Sequence, residues 1–147
     1  MKEIASLGAG LLLASLVLAG CAIDGAEEPP TEPLIGTYWK LAQLDGKDVV
    51  VGDNEREPHL VFDRHHRLIG STGCNRVTAG FETQDDAITL SSLASTRMAC
   101  SAALMAQEQR WMESLDRVAH YKIVGNRLIL EDDEANPLAE LTANALY

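Results

Sequence analysis

His59-Leu60-Val61-Phe62-Asp63 and Arg67-Leu68-Ile69-Gly70-Ser71, separated only by the polar Arg64-His65-His66, decide the fold. Two short β-type runs across so tight a connection read as an antiparallel hairpin. The same unit recurs on both sides of it. Thr78-Ala79-Gly80-Phe81-Glu82-Thr83 and Ala87-Ile88-Thr89-Leu90 flank Gln84-Asp85-Asp86, and His120-Tyr121-Lys122-Ile123-Val124 and Arg127-Leu128-Ile129-Leu130-Glu131 flank Gly125-Asn126. Upstream, Thr37 to Leu44 is stopped by Asp45-Gly46, and the short Val49-Val50-Val51 ends at Gly52. Downstream, Pro137 to Thr142 follows a polar turn. About eight strands at eight-to-twelve-residue spacing predict a closed or nearly closed antiparallel sheet.

One segment departs from this period. Ala102 to Val118 holds helix formers without Gly or Pro, with Leu104, Met105, Trp111, Met112 and Leu115 on one face. Gln107, Glu108, Gln109, Arg110 and Glu113 fall largely opposite, and Ser101 is placed to cap the N-terminus. The fold class expected is therefore α+β and mainly antiparallel β: a small barrel-like sheet of about eight strands with one amphipathic helix packed on it.

The chain has 147 residues, enough for one domain plus whatever precedes it. Its 22 acidic residues against 12 Lys and Arg give a net charge of −10. Nucleic acid is excluded as a partner, because binding it requires cations that displace its counterions. A charge of this sign favours a basic partner, or simply solubility.

The N-terminus reads as an address. Met1-Lys2 is followed by an apolar run from Leu7 to Leu18, the length of a signal-peptide core and short for a bilayer of roughly 30 Å. Leu18-Ala19-Gly20-Cys21 looks like a bacterial lipobox. Residues 1–20 are thus expected to be a lipoprotein signal peptide, with Cys21 acylated and holding the protein on a membrane. Ala22 after the cysteine favours the periplasmic face of the outer membrane if the organism is Gram-negative. Residues 21–35, with three prolines and four acids, form a flexible tether, and 36–147 form the domain.

Acylation of Cys21 leaves Cys74 and Cys100 as a candidate pair. In an oxidising compartment, a bond between them would close a loop of about 26 residues and contribute about 3.5 kcal/mol. Two buried free thiols are the alternative. No metal-ligand spacing accompanies these cysteines or the four histidines, His59, His65, His66 and His120. A Gly-x-Ser-x-Gly nucleophile elbow and a phosphate-binding glycine loop are likewise missing from the sequence. No catalytic residue, metal or cofactor is expected, and the protein is read as a non-enzyme.

Gly73-Cys74-Asn75-Arg76 and Ser95-Thr96-Arg97-Met98-Ala99-Cys100 are too polar and too particular for generic strand. With Tyr38-Trp39-Lys40-Leu41 and Phe81 they occur in an order that resembles the META domain family of HslJ-like bacterial lipoproteins, across roughly residues 36–145. The resemblance implies a compact barrel-like α+β fold and an envelope protein associated with heat or antibiotic stress. It supplies no reaction. The motif positions it carries over are Gly73, Cys74, Asn75, Arg76, Thr96, Arg97 and Cys100. Two readings of them stay open: a structural knot beside a disulfide, or a site in which Asn75, Arg76 and Arg97 recognise an anionic group.

The function expected is that of a non-enzymatic, monomeric envelope lipoprotein that supports stress or antibiotic tolerance by binding a protein or small molecule. The alternative is an acidic lipoprotein inhibitor of a basic enzyme such as lysozyme, for which a charge of −10 is suited.

Overall fold

The computed structural model describes residues 30–52 and 56–144. The signal peptide, Cys21 and most of the tether expected from the sequence lie outside the described residues. Nine strands and one helix follow in the order β1 (Tyr38–Leu44), β2 (Lys47–Asp48), β3 (His59–Phe62), β4 (Arg67–Ser71), β5 (Arg76–Gln84), β6 (Ala87–Ser95), α1 (Ala102–Arg117), β7 (His120–Val124), β8 (Arg127–Glu131) and β9 (Pro137–Asn144). All strand pairs are antiparallel, and β1 also pairs with β9, so the sheet closes into a barrel-like ring.

Closure rests on β1. One of its edges pairs along its length with β9, from Tyr38↔Asn144 to Leu44↔Ala139, with a bulge between Leu41 and Gln43. Its other edge is shared, Tyr38 to Lys40 pairing with β3 and Gln43–Leu44 with β2. Alternate residues then face the interior. Trp39, Leu41, Leu60, Phe62, Leu68 and Val77 are wholly buried there, joined by Leu128, Leu130 and Leu141 from the other side of the ring. At roughly 1.5–3 kcal/mol for each large apolar side chain buried, this interior is the main favourable contribution to the fold. The core reaches upstream of residue 36: Leu34 is buried, and its carbonyl accepts from the Trp39 indole N–H at 3.1 Å.

The ring has one thin joint. β6 and β7 share a single residue pair, Ala87↔His120. The helix lies between these strands in the chain, packs against β6, and sends Trp111 and Leu115 into the core. Ser101 caps it, accepting from the Leu104 amide.

The helix face differs from the expected one. Met105 is exposed, whereas Gln107 is buried. The reason lies across the molecule. The Gln107 amide receives the Val50 N–H at 2.7 Å and donates to the Val50 carbonyl at 2.8 Å, completing the backbone of a residue that pairs with no strand among the described residues. That pairing also accounts for Val49-Val50-Val51, read as strand from the sequence. The ordered pairing opposite β1 is instead Lys47–Asp48, and Val50 and Val51 project to solvent.

Two features are sensitive to single changes. Gly70 faces the β3 backbone so closely that a Cβ there would sit 2.1 Å from the His59 carbonyl oxygen and 3.2 Å from the Leu60 Cα. Asp132 organises the β8–β9 turn. Its carboxylate accepts from the Asn136 and Glu134 amides at 2.8 and 3.1 Å and pairs with Arg117 of α1 at 2.9 Å. The Asn136 amide first, then the Asn136 side chain, the Glu134 amide and Arg117, hold its pKa below the usual carboxylate value, against the opposing effect of burial.

Gly70→Ala is expected to lose about 1–3 kcal/mol in urea unfolding, because β3 and β4 must separate to admit the methyl; wild-type stability would show that the ladder yields freely. A depressed carboxylate pKa contributes stability above the unfolded-state value that is lost as pH falls through the folded-state value. The melting temperature of the wild type should therefore fall below about pH 4, and Asp132→Asn should start lower and show a shallower fall. Parallel curves for the two proteins would remove Asp132 from the acid response.

Candidate functional site

The motif segments meet, and a disulfide joins them. Cys74 and Cys100 are bonded with their Cα atoms 6.0 Å apart. Cys74 lies in the tight loop between β4 and β5. There the Thr72 hydroxyl accepts the amides of Cys74 and Asn75, while its own N–H donates to the Asn75 carbonyl at 2.8 Å. Gly73 sits at φ +94°, a left-handed conformation that strains any residue with a Cβ, and its amide donates to the Ser71 hydroxyl.

Asn75 is the centre of this arrangement. It is buried, and its Oδ1 accepts from the Met98 amide at 2.6 Å and from the Thr96 hydroxyl at 2.9 Å. Its Nδ2 donates to the Glu108 carboxylate at 2.8 and 3.0 Å. One amide thereby ties the start of β5, the segment before Cys100 and the helix. A buried amide left unpaired costs several kcal/mol, so full pairing makes this segment order specific. Of the two readings left open, Asn75 serves as the knot. Glu108 was not foreseen as its partner, because helical periodicity assigned that residue to the solvent face.

The other motif residues divide. Thr96 is bound into the knot through Asn75 and receives the Arg76 amide at 3.0 Å. Arg97 is exposed, and its guanidinium makes no hydrogen bond or ion pair among the described residues. Arg76 also points outward at the first position of β5, likewise without an ion pair among the described residues. Of the trio expected to recognise an anion, Asn75 and Arg76 line one groove, and Arg97 is not among its lining residues.

Arg76 opens onto this groove of about 1120 Å³ on the outer face of β1, β3, β4 and β5. Strand register explains its lining. Tyr38↔Val61, Val61↔Ile69 and Ile69↔Thr78 form one outward row, and Lys40↔His59, His59↔Ser71 and Ser71↔Arg76 form the next. Tyr38 and His59 stack across the diagonal between the rows, with ring centroids 4.3 Å apart. The Tyr38 hydroxyl donates to Glu57, which also pairs with Lys40 at 2.6 Å. Burial, and then the Glu57 charge, push the Tyr38 phenol up to about 12. The hydrogen bond from Lys40 leads in holding the Glu57 carboxyl below its usual range. His59 Nδ1 lies 3.0 Å from the Glu57 carbonyl, which can only accept, so this nitrogen carries the proton. Apolar surface remains open beside these polar groups: Ile69 is 41% and Met98 54% exposed.

The knot generates a direct expectation. Cys74→Ser and Cys100→Ser should each lower stability by about 3.5 kcal/mol, the value for a loop of this length, and the double variant no further. Strongly unequal or additive losses in chemical unfolding would mean that the cysteines act separately.

Comparison with known proteins gives the arrangement a context. A search of curated proteins returned no match. A protein from Burkholderia xenovorans solved by NMR has the same fold, with a TM-score of 0.62 at 19% identity, covering 93% of this chain and 99% of that one. A second protein solved by NMR is 25% identical with a TM-score of 0.57, over 72% of this chain and 88% of that one. The model of the META domain matches residues 32–145, which contain the ring, the knot and the groove. The chain belongs to the META domain family.

Proposed function

We propose that this META domain protein is a non-enzymatic cell-envelope lipoprotein, anchored through Cys21, that supports tolerance of envelope or antibiotic stress by binding a partner on the outer face of β1, β3, β4 and β5. The observation that carries the reading is the groove itself. Outward positions of a small closed sheet are ordinarily polar, yet here Val61 and Ile69, with Met98 from the segment after β6, line an open concavity beside Arg76. Exposed apolar surface with a few convergent polar groups is the usual character of a binding site.

The groups that could do chemistry there are otherwise engaged. His59 is held between Tyr38 and the Glu57 carbonyl, and Cys74 is spent in the disulfide. This supports binding over catalysis. Arg76 opens onto the groove at an exposed position, in a chain that is acidic as a whole. A cation at that position supports a partner other than a basic enzyme such as lysozyme.

Anchor and groove can be tested separately. Intact mass of the protein from membranes should equal residues 21–147 plus acyl chains, with two cysteine alkylations gained only after reduction; an unacylated chain would overturn the anchor. Ile69→Asp in the full chain should leave abundance and membrane attachment unchanged, yet abolish stress tolerance as fully as deletion does. Wild-type tolerance in that variant would overturn the groove.

A further inference from the structure

Building on that reading, we infer that the groove binds a small anionic amphiphile: one acid group held by Arg76 and Ser71, and an apolar body laid across Ile69, Val61 and Tyr38. The register places these two functions side by side. Ser71 and Arg76 are directly opposed across β4 and β5. The Ser71 hydroxyl accepts from the Gly73 amide at 3.0 Å, so its own proton remains to be donated outward. Arg76 contributes a planar set of N–H donors that matches a carboxylate or sulfate, and charge-assisted bonds of this kind are about twice as strong as neutral ones. Lys40, at the opposite end of the same row, is paired with Glu57. Arg76, directly beside Ser71, is the cation placed to receive the acid group at this end of the groove.

The apolar row runs from Arg76's neighbour Thr78 through Ile69 and Val61 to Tyr38, across four strands. At the usual strand separation that is roughly 14 Å. This is room for an alkyl or aryl body and one headgroup. The stacked Tyr38–His59 pair closes the far end with a flat aromatic surface.

Other ligand classes fit less well. Backbone addition of an acidic peptide needs a free strand edge, and within this face the edges of β3 and β4 are already paired on both sides. An anionic bilayer presents many like charges at once to a chain of net charge −10, whereas one small anion meets chiefly the charge of the nearby Arg76. A single amphiphile also needs no strand edge.

The test uses the full chain in zwitterionic nanodiscs, with isotope-labelled Ile, Val and Arg, titrated with decanoate, decanol and acetate. Decanoate should shift the Ile69 and Val61 methyl signals and the Arg76 Nε–H signal saturably. Decanol should bind at least tenfold more weakly, and acetate should leave the methyls unmoved. Arg76→Gln, an exposed change that leaves the core intact, should weaken decanoate at least tenfold while decanol is unaffected. Equal affinity for decanoate and decanol, or for decanoate in wild type and Arg76→Gln, would overturn the inference. So would shifts of the same signals produced only by a glutamate-rich peptide or only by anionic lipid in the disc. If decanoate fails while Ile69→Asp still abolishes stress tolerance, the groove remains a binding surface and the amphiphile alone is wrong; if Ile69→Asp is also silent, both fail.

Discussion

Everything in this molecule depends on the pairing of its first long strand with its last. A strand edge exposed to water is an open row of donors and acceptors, and a small sheet cannot tolerate two of them. Here Tyr38–Leu44 takes up Ala139–Asn144, so the backbone of β1 is satisfied by residues about a hundred positions away in sequence. The ring that results encloses an interior just wide enough for side chains to fill. Trp39 and Trp111 occupy it, the first delivered by β1 and the second by the helix. Both are wholly buried in the closed ring.

The outward surface inherits its order from the same ladders. In a strand, consecutive side chains point to opposite faces, so the register that buries Leu60, Leu68 and Val77 also aligns Val61, Ile69 and Thr78 outside. The groove is thus the reverse side of the core. The knot at Asn75 sits at its end and fixes where β5 begins, which sets the position of Arg76 relative to Ser71. Architecture and candidate recognition are therefore coupled: the amide that holds the helix through Glu108 immediately precedes the guanidinium that faces the groove.

Much of this was legible in the sequence. Alternation and turn residues located the hairpins, and the helix was found within a residue of its ends. The odd cysteine count, with Cys21 assigned to lipid, made Cys74 and Cys100 a candidate pair, and the structure bonds them. What failed were features decided at a distance. The second half of β6, Ser91 to Ser95, holds three serines and only one large apolar residue, Leu93, with Ser92 at positive φ, so no alternation marks it as strand. Gln107 is buried because Val50 needs a backbone partner, and Glu108 turns inward because Asn75 needs an acceptor. Neither need is visible in the helix itself. The groove could not be read at all, since it is defined by which residues lie opposite one another across four strands.

The thin joint between β6 and β7 has a mechanical meaning. A pull on the N-terminal segment first meets the bond from the Glu32 amide to the Gly125 carbonyl, then Leu34 and Trp39, and passes into β1, which is held on one edge by β9 and on the other by β3. That load runs along ladders in shear, where many hydrogen bonds must break together. The single Ala87↔His120 pair lies on the far side of the ring, off the line of force. Force entering at the N-terminal end of the domain is thus met by its most extensive strand pairing, and the sparse seam is not what resists it.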